Sequence, residues 1–527
     1  MNNVIPKING DIQQTHFLKL PDTFGIYSNE NIEGIIEVFA KRMELNVRIS
    51  QDRDNAFIDI NINDCLDNEE YTASIQENKI YIEAGDEKGI IWALTTIAEL
   101  NDGGIIPTCK INDKPRYEHR GILIDCSRHF FEKAEIKKII EELSKVKINY
   151  LHWHLTNDQG WRIESEKYPM LHEQGEGKYY SKADIIEIVD FAKVRGITII
   201  PEIDMPGHTR SIVSAYPQYS CSQKEVKLAR YGGIYPVILC PGREETFKFV
   251  REVLDEVIPL FPGKYWHIGA DEAPKHEWIK CPLCQKRMKE EKLKNEDELQ
   301  NYFINRIKGM IREKGKIPVA FDDCLVAKKI DRDALIQEWM PTRGNLIVEH
   351  ASNGGKFIYS DMMDIYYDYP EAMTNMERSY KVRPAINDRD YSDDSAFTGF
   401  EACVWTENIE TNEDLEKHIF PRIYALAENG WTKEEYKDYE DFNKRLNNRK
   451  KSTYVCLGAG DPKGDERKLE AARFIKAMGN RIPEDEKKET VEPDVVDEKF
   501  NQLFGAKLLN SHGDARELMS LAATIES

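Results

Sequence analysis

Two adjacent carboxylates, Asp271 and Glu272, follow an apolar stretch in the sequence YWHIGADEAP, residues 265–274. Burying two acids side by side is unfavourable unless another group pairs with them or a reaction uses them. An acid in an apolar pocket would have a raised pKa and could donate a proton, while a better hydrogen-bonded neighbour would stay ionised. Glycoside hydrolysis requires this division between two carboxylates. The structural alternative is that the pair forms the N-cap and acidic first turn of a helix.

Histidines form a second group of candidate residues. His152 and His154 lie two residues apart in HWHLTNDQGW, hence on one face of a strand, and His208 follows in DMPGH. Three such imidazoles could hold a catalytic metal ion, which would indicate a metal-dependent hydrolase. The favoured interpretation places the strand histidines in the core or in hydrogen bonds, so we predict no metal ligand.

A pair of cysteines, Cys281 and Cys284, occurs in the sequence CPLC. No second pair of this kind is present to complete a tetrahedral zinc site, so the start of a helix is the favoured interpretation.

Aromatic residues are the third group, because sugars present apolar C–H faces that pack on rings. Taken singly, such residues belong more often to the core, but several at the strand ends of one barrel favour a sugar site. The candidates are Trp266, Trp339, Trp405, Tyr366, Tyr367 and Tyr369.

From Arg120 onward, the sequence predicts a scaffold that brings these distant segments together. Near-continuous apolar runs between amphipathic helical patterns are typical of a parallel sheet covered on both faces. Eight such runs in roughly 300 residues favour a (β/α)8 TIM barrel over an open sheet. The runs are GILIDCS, INYLHWHL, ITIIPEID, YWHIGADE, IPVAFDD, ALIQEWM, KFIYSD and TGFEACVW.

In a barrel of this kind, the C-terminal strand ends meet at one face, where active sites lie. The polar and aromatic residues that end the runs would therefore surround one pocket. They are Asp125 to Arg128, His154 to Asp158, Glu202 to His208, Asp271 and Glu272, Asp322 and Asp323, Trp339 and Trp405.

The α/β barrel is expected to occupy residues 116–450 and to follow a small accessory α+β domain at 1–115. The accessory domain is predicted from strands in NVRIS, AFIDINI, YTASIQ and IYIEAG and from helices in IEGIIEVFAKRME and KGIIWALTTIAELN. Residues 451–527 are polar and include the acidic segment PEDEKKETVEPDVVDEK. They predict a mostly helical C-terminal extension, to which we assign no chemistry.

Composition limits the choice of partners and compartment. The 527 residues carry a formal net charge of −20, which argues against nucleic acid or an anionic membrane as a partner. No run approaches the ~20 apolar residues of a membrane span. The ten cysteines occur mostly singly and the N-terminal sequence lacks a signal pattern, so we expect a cytoplasmic protein.

Several of these segments together resemble glycoside hydrolase family 20, the β-N-acetylhexosaminidases. The segments are HIGADE, RGILIDCSRHF, LHWHLTNDQGWRIE, PEIDMPGHT and EACVWTE, in the family's order. The resemblance implies an exo-acting, retaining enzyme without a cofactor, whose partner is an oligosaccharide or glycoconjugate ending in a β-linked N-acetylhexosamine. In this family the 2-acetamido oxygen of the substrate attacks the anomeric carbon and forms an oxazolinium intermediate.

The resemblance also implies a role for each matching residue. Asp271 would orient the acetamido group and stabilise the positive charge that develops on it. Glu272 would protonate the leaving oxygen and then deprotonate water, with His208 supporting it. The other matches are Arg128 for the sugar hydroxyls at positions 3 and 4, Trp339 and Trp405 for the cage around the acetamido group, Tyr366 for the acetamido oxygen, Asp368 near it, and Glu407 for the outer hydroxyls.

Two positions depart from the family pattern. Asn157, which we place among the substrate-binding residues, stands where an acid usually links through His208 to the general acid. An amide supplies no negative charge, so we expect a lower pKa for His208 and a shifted acidic limb of the rate profile. Phe321 stands where a third cage tryptophan is common. A carbohydrate-binding protein that has lost catalysis is the second alternative, against which the intact acids argue.

Overall fold

The computed structural model describes residues 3–10, 14–327, 333–371, 373–449 and Thr490. The predicted C-terminal extension, apart from Thr490, lies outside these residues. None of the described helices is long and apolar enough to cross a bilayer.

The first part of the chain folds into strands and helices around a separate sheet. Its elements are β1 (Phe17–Lys19), β2 (Thr23–Ser28), α1 (Glu33–Met43), β3 (Asn46–Ile49), β4 (Ile58–Ile62), β5 (Tyr71–Ile75), β6 (Ile80–Ala84), α2 (Glu87–Leu100), β7 (Ile105–Pro107) and β8 (Cys109–Asp113). Six strands form a sheet in the order β3-β2-β4-β6-β5-β8, and β1 pairs with β7. The sequence predicts β3 to β6 and both helices, but not β1, β2, β7 or β8.

Buried ion pairs dock this sheet and its helices on the rest of the molecule. Glu69 accepts hydrogen bonds from the guanidinium of Arg120 and, at 2.7 Å, from the side-chain amide of Asn149. Asp113 pairs with Lys147 at 3.1 Å, and both side chains are almost completely buried. Removing one partner would leave a buried charge without compensation, so loss of either residue should strongly destabilise the contact.

The remaining described residues form the barrel and its helices. The elements are β9 (His119–Asp125), α3 (Lys133–Lys145), β10 (Tyr150–His154), β11 (Thr156–Asn157), β12 (Gly160–Trp161), α4 (Met170–Glu173), α5 (Lys182–Lys193), β13 (Thr198–Glu202), α6 (Arg210–Ala215), α7 (Glu244–Val257), β14 (Tyr265–His267), α8 (His276–Lys280), α9 (Pro282–Glu290), α10 (Glu296–Glu313), β15 (Ile317–Phe321), β16 (Leu335–Glu338), α11 (Gly344–Ser352), β17 (Lys356–Tyr359), α12 (Met362–Ile365), α13 (Met376–Lys381), β18 (Ala385–Ile386), β19 (Arg389–Asp390), β20 (Phe397–Val404), α14 (Asn412–Ile419), α15 (Arg422–Trp431) and α16 (Tyr439–Asn447).

Eight parallel strands close the barrel in the order β9-β10-β13-β14-β15-β16-β17-β20, with β20 pairing back to β9. Each predicted apolar run overlaps one of these strands, so the TIM-barrel prediction is confirmed. Amphipathic helices cover the outside: in α7, for example, Phe247, Val250, Val253, Leu254 and Val257 are buried at helical spacing. The accessory domain contacts the barrel near the start of β9 and β10, which leaves the C-terminal strand ends free for a site.

Candidate active site

A tight turn after β14 places Asp271 and Glu272. Gly269, Ala270 and Glu272 have positive φ angles of 65°, 78° and 42°. A Cβ atom at position 269 would lie 1.8 Å from Oδ1 of Asp204, so only glycine fits this turn. The next helix, α8, begins at His276 with Lys275 as its N-cap. The helix-capping interpretation of the two acids is therefore wrong.

His208 lies between these two acids and a third carboxylate. Its Nε2 lies 3.4 Å from Oε2 of Glu272 and 3.7 Å from Oδ2 of Asp271, while its Nδ1 pairs with Oδ2 of Asp158 at 3.1 Å. Burial disfavours the imidazolium, but the charge of Asp271 and the bonds to Asp158 and Glu272 outweigh burial and raise the pKa of His208 well above its usual value. His208 is therefore a cation at neutral pH.

The expectation about Asn157 is corrected by these contacts. Its Nδ2 lies 3.0 Å from Nε2 of His154, and its Oδ1 accepts the backbone N–H of Asp158 at 2.7 Å. The partner of His208 is Asp158, the following residue, so the lower pKa expected for His208 is wrong. Asn157 is 1% exposed, and the contacts of its amide are internal. Both ends of its amide therefore have partners within the protein.

The carboxylate of Asp271 is buried together with that of Asp204, which the sequence analysis gave no role of its own. Burial raises the pKa of Asp271 to about 6, with the cationic His208 opposing the shift and neighbouring acids adding to it. Burial and the charge of Asp271 raise the pKa of Asp204 well above its usual value, which favours the protonated form of Asp204. Oδ1 of Asp271 has no hydrogen-bond partner among the described residues. One oxygen of this buried carboxylate thus keeps an unfilled acceptor position.

Asp323 links the catalytic turn to the aromatic residues. Its Oδ1 accepts the backbone N–H of Glu272 at 3.0 Å, and its Oδ2 accepts the indole N–H of Trp339 at 2.8 Å. Burial favours its protonation, but the guanidinium of Arg343 outweighs burial and lowers the pKa of Asp323, which stays ionised. The sequence marked Asp323 only as a strand end. Sequence analysis could not reveal this link, because both partners of Asp323 are distant from it in sequence.

Three of the predicted aromatic residues form one wall. The ring of Tyr366 is nearly parallel to that of Trp339, with centroids 6.5 Å apart, and lies 6.3 Å from that of Trp405. Phe321 is buried at the end of β15, 6.2 Å from Trp405. Burial, with a smaller contribution from Asp368 two residues further on, raises the pKa of Tyr366 well above its usual value. Tyr366 is therefore a neutral hydrogen-bonding group within this wall.

Other aromatic candidates belong elsewhere. Trp266 is fully buried and packs edge-on against Phe261. Tyr367 is also fully buried, and its hydroxyl bonds to Ser379. The ring of Tyr369 packs against that of Tyr366, with centroids 6.0 Å apart, in the same buried cluster.

Arg128 and Glu407 stand together at the junction of the first and last barrel strands. Nη1 of Arg128 pairs with Oδ2 of Asp125 at 3.1 Å, and its guanidinium carbon lies 5.1 Å from the ring centroid of Trp405. Its Nη2 lies 3.8 Å from Oε1 of Glu407. Asp125 also accepts the backbone N–H of Thr406 at 3.1 Å, which fixes the strand end bearing Trp405 and Glu407.

The histidines of the metal alternative are held by carboxylates in the barrel interior. His152 pairs through Nδ1 with Glu401 at 2.8 Å and through Nε2 with Glu202 at 2.9 Å. Burial disfavours its charge, but these two acids outweigh burial and raise the pKa of His152 to about 9. His154 pairs with Glu202 at 2.6 Å. Within the described ranges, the possible ligand groups that include these histidines are separate: His152 with Glu202 and His267, and His208 with Asp204 and Asp271.

The cysteines of CPLC agree with one part of the prediction and contradict another. Cys281 is the N-cap of α9, so the helix-start interpretation is confirmed. However, Cys221 and Cys240, which are distant in sequence, lie beside Cys281 and Cys284. The expectation that no further cysteines complete a four-cysteine set is therefore wrong, because the fold brings these two residues to the CPLC turn.

A closed (β/α)8 barrel with two adjacent carboxylates after its fourth strand and an aromatic wall beside them defines the class of glycoside hydrolases. Within that class, the chain belongs to glycosyl hydrolase family 20. The model of the family's catalytic domain matches residues 117–434, and the model of the family's domain 2 matches residues 1–114.

Individual relatives agree with this assignment. The chain is 36% identical to a beta-hexosaminidase of Porphyromonas gingivalis over 65% of its own length, which is 47% of that relative. It is 31% identical to a beta-hexosaminidase of Vibrio furnissii over 71% of its own length and 67% of that protein. The chain thus spans about half to two thirds of these relatives.

Solved structures share the fold over most of the chain. The beta-N-acetylhexosaminidase from Bacteroides fragilis aligns with a TM-score of 0.79 at 29% identity, covering 87% of this chain and 99% of that one. The chitobiase of Flavobacterium johnsoniae aligns with a TM-score of 0.76 at 31% identity, covering 90% of this chain and 75% of that one.

Proposed function

We propose that the protein is an exo-acting, retaining β-N-acetylhexosaminidase that removes terminal N-acetylglucosamine or N-acetylgalactosamine from oligosaccharides or glycoconjugates. The observation that best supports this proposal is the unfilled acceptor position on Oδ1 of Asp271, the residue before Glu272. A buried acceptor at this place fits an amide N–H of the substrate, which a plain sugar lacks. The cytoplasmic location expected from the sequence stays a prediction.

In the first step, the acetamido oxygen attacks the anomeric carbon while the bond from that carbon to the leaving oxygen breaks. Glu272 gives its proton to the leaving oxygen, and the sugar becomes an oxazolinium ion. Asp271 accepts a hydrogen bond from the acetamido N–H and stabilises the positive charge that develops on the nitrogen. Such a charge-assisted bond strengthens in the transition state, so it lowers the barrier and does not merely bind the substrate.

In the second step, Glu272 removes a proton from water as the water oxygen attacks the anomeric carbon and opens the ring of the intermediate. The configuration is retained because the anomeric carbon is inverted twice. His208 stabilises the carboxylate form of Glu272 that exists between the steps, since its cationic Nε2 lies 3.4 Å away. Asp158 keeps His208 charged and oriented.

The other residues fit substrate binding. Trp339, Tyr366 and Trp405 offer ring faces to the acetamido methyl group and the sugar ring. Arg128 and Glu407 offer a donor and an acceptor for the sugar hydroxyls. We expect none of these steps to require a metal ion.

The test is turnover of an aryl N-acetyl-β-glucosaminide beside the matching aryl β-glucoside. We expect cleavage of only the acetamido sugar, with the β-anomer as first product. Equal cleavage of both substrates would contradict acetamido participation. Binding of N-acetylglucosamine without any cleavage would support the carbohydrate-binding alternative instead.

A further inference from the structure

Four cysteine side chains meet beside the catalytic turn, and the proposed reaction uses none of them. The Sγ atoms of Cys240 and Cys284 are 3.5 Å apart, those of Cys221 and Cys284 3.6 Å, and those of Cys240 and Cys281 3.8 Å. All four Sγ atoms lie within 4.8 Å of one another. Three of the four residues are buried, and Cys221 is partly buried.

These separations match a tetrahedral metal–thiolate site. With metal–sulfur bonds of about 2.3 Å, the sulfur atoms of a regular ZnS4 tetrahedron are about 3.8 Å apart. The four thiols also supply a closed set, so no coordination position is left for a substrate or water. Sulfur ligands in a tetrahedral arrangement favour zinc over magnesium, calcium or manganese.

Local structure builds this cluster from two loops. Cys221 and Cys240 come from the segment between α6 and α7, where a bridge between Ser220 and Leu239 brings them together. At Gly242, a Cβ atom would lie 2.4 Å from the carbonyl carbon of Leu283, so the absence of a side chain lets this segment approach the CPLC turn.

The second loop supplies the other two ligands in a compact turn. Cys281 precedes Pro282, the first residue of α9, and Cys284 follows in the first turn of that helix. The indole of Trp278 donates to the backbone carbonyl of Leu239 at 3.1 Å, which is a further tie between the loops. Ile238, Trp278 and other apolar residues surround the sulfur atoms and limit the access of water.

We propose that Cys221, Cys240, Cys281 and Cys284 bind one Zn²⁺ ion as a structural site. Binding converts the thiols to thiolates and releases their protons. The ion joins the segment before α7 to the loop after β14, the loop that holds Asp271 and Glu272. Ala273, the residue after Glu272, lies in the same apolar cluster as the cysteines. The zinc therefore fixes the far side of the catalytic turn.

The direct test is elemental analysis of the full chain, purified from zinc-supplemented cells without chelator. We expect about one zinc per chain. The double variant Cys281→Ser/Cys284→Ser should lose the zinc. The matched control is Cys109→Ser, because Cys109 is also a buried thiol but lies in β8, and this variant should keep it.

Cobalt substitution tests the ligand set in the wild-type protein, so the result does not depend on whether a cysteine variant folds. Co²⁺ exchanged into the wild-type protein should give the intense visible and charge-transfer bands of tetrahedral tetrathiolate coordination. Zinc below roughly a tenth of an equivalent in wild-type protein would overturn the proposal, as would disulfides between these cysteines in a mass spectrum. Bound iron in place of zinc would overturn the choice of metal. Zinc retained by the double variant would overturn the choice of ligands.

Discussion

Two clusters of ionisable groups lie on the same pair of barrel loops but differ in which groups face one another. The catalytic cluster joins His208, on the loop after β13, to Asp271 and Glu272, on the loop after β14. The cysteine cluster joins later parts of the same two loops through Cys221, Cys240, Cys281 and Cys284. In the catalytic cluster unlike charges compensate one another, and one carboxylate oxygen remains available. In the cysteine cluster like groups face one another, and no position is available to a substrate.

The difference shows why residue type alone does not identify a metal site. His152 and His154 are suitable ligands by type, but carboxylates already pair with both ring nitrogens of His152 and with Nδ1 of His154, whose Nε2 lies beside the amide of Asn157. The four cysteine sulfurs lie within 4.8 Å of one another, with the backbone N–H of Gly242 also bonded to that of Cys240, and a tetrahedral metal ion could bind such a set. Our proposals therefore assign the reaction to the cluster of paired charges and the fixation of the loops to the cysteine cluster.

The largest expected effect is that of Glu272→Gln, which removes the proton donor and keeps the shape. We expect kcat/KM to fall by about 10²–10⁴-fold for a natural glycoside, the range of general acid–base catalysis. An aryl substrate with an acidic leaving group should lose less, because its departure needs less proton transfer. Glu142→Gln, a buried acid on the outer helix α3, is the control and should keep full activity. Equal losses for both aglycones would argue against an acid role for Glu272.

Asp271→Asn should have the next largest effect, about 10²–10³-fold in kcat/KM, because an amide cannot stabilise the positive acetamido nitrogen. Its pH dependence sharpens the test. Asp271 acts as a carboxylate, and its pKa is raised to about 6, so kcat/KM of the wild-type protein falls as the pH drops through about 6. The residual activity of the variant should lack this limb. An acidic limb that persists unchanged in Asp271→Asn would assign it to another group.

A matched pair of variants tests which residue supports His208. Asp158→Asn removes the carboxylate 3.1 Å from Nδ1 and lowers the pKa of His208, so the cation is lost at a lower pH. We expect the alkaline limb of kcat/KM to move to lower pH and the maximum to fall by about ten- to a hundredfold, the effect of one hydrogen bond to a charged group. Asn157→Asp should move the limb less, because that side chain contacts His154. The reverse order would restore the sequence-based assignment to position 157.

The sequence was most informative where a pattern repeats and least informative where contacts join distant residues. The eight barrel strands follow from apolar runs at regular spacing, and the carboxylates follow from their place after the fourth run. The sequence alone does not show whether Asn157 or Asp158 is the partner of His208. The two residues are adjacent, and the hairpin of β11 and β12 determines which side chain faces His208. The role of Asp323 depends on Glu272 and Trp339, which only the fold brings to it.

The cysteine set illustrates the same limit. A C-x-x-C pair predicts zinc when a second pair follows, but here Cys221 and Cys240 are separated by a long loop. Their pairing depends on the bridge between Ser220 and Leu239 and on the close approach at Gly242, neither of which has a sequence pattern of its own.

The smallest expected effect on the chemistry is that of removing the zinc. A closed site does not touch the substrate, so kcat at low temperature should change by less than about threefold, whereas the midpoint of thermal inactivation should fall clearly. The comparison is kcat and thermal inactivation for wild-type protein, chelator-treated protein and Cys281→Ser/Cys284→Ser. Inhibition by a chelator does not by itself indicate a catalytic metal here, because loosening the loop after β14 also disturbs Asp271 and Glu272. A different result would place a metal in the catalytic cluster. In that case kcat at low temperature would be lost without zinc, and added zinc would restore it both in the wild-type protein and in the double variant.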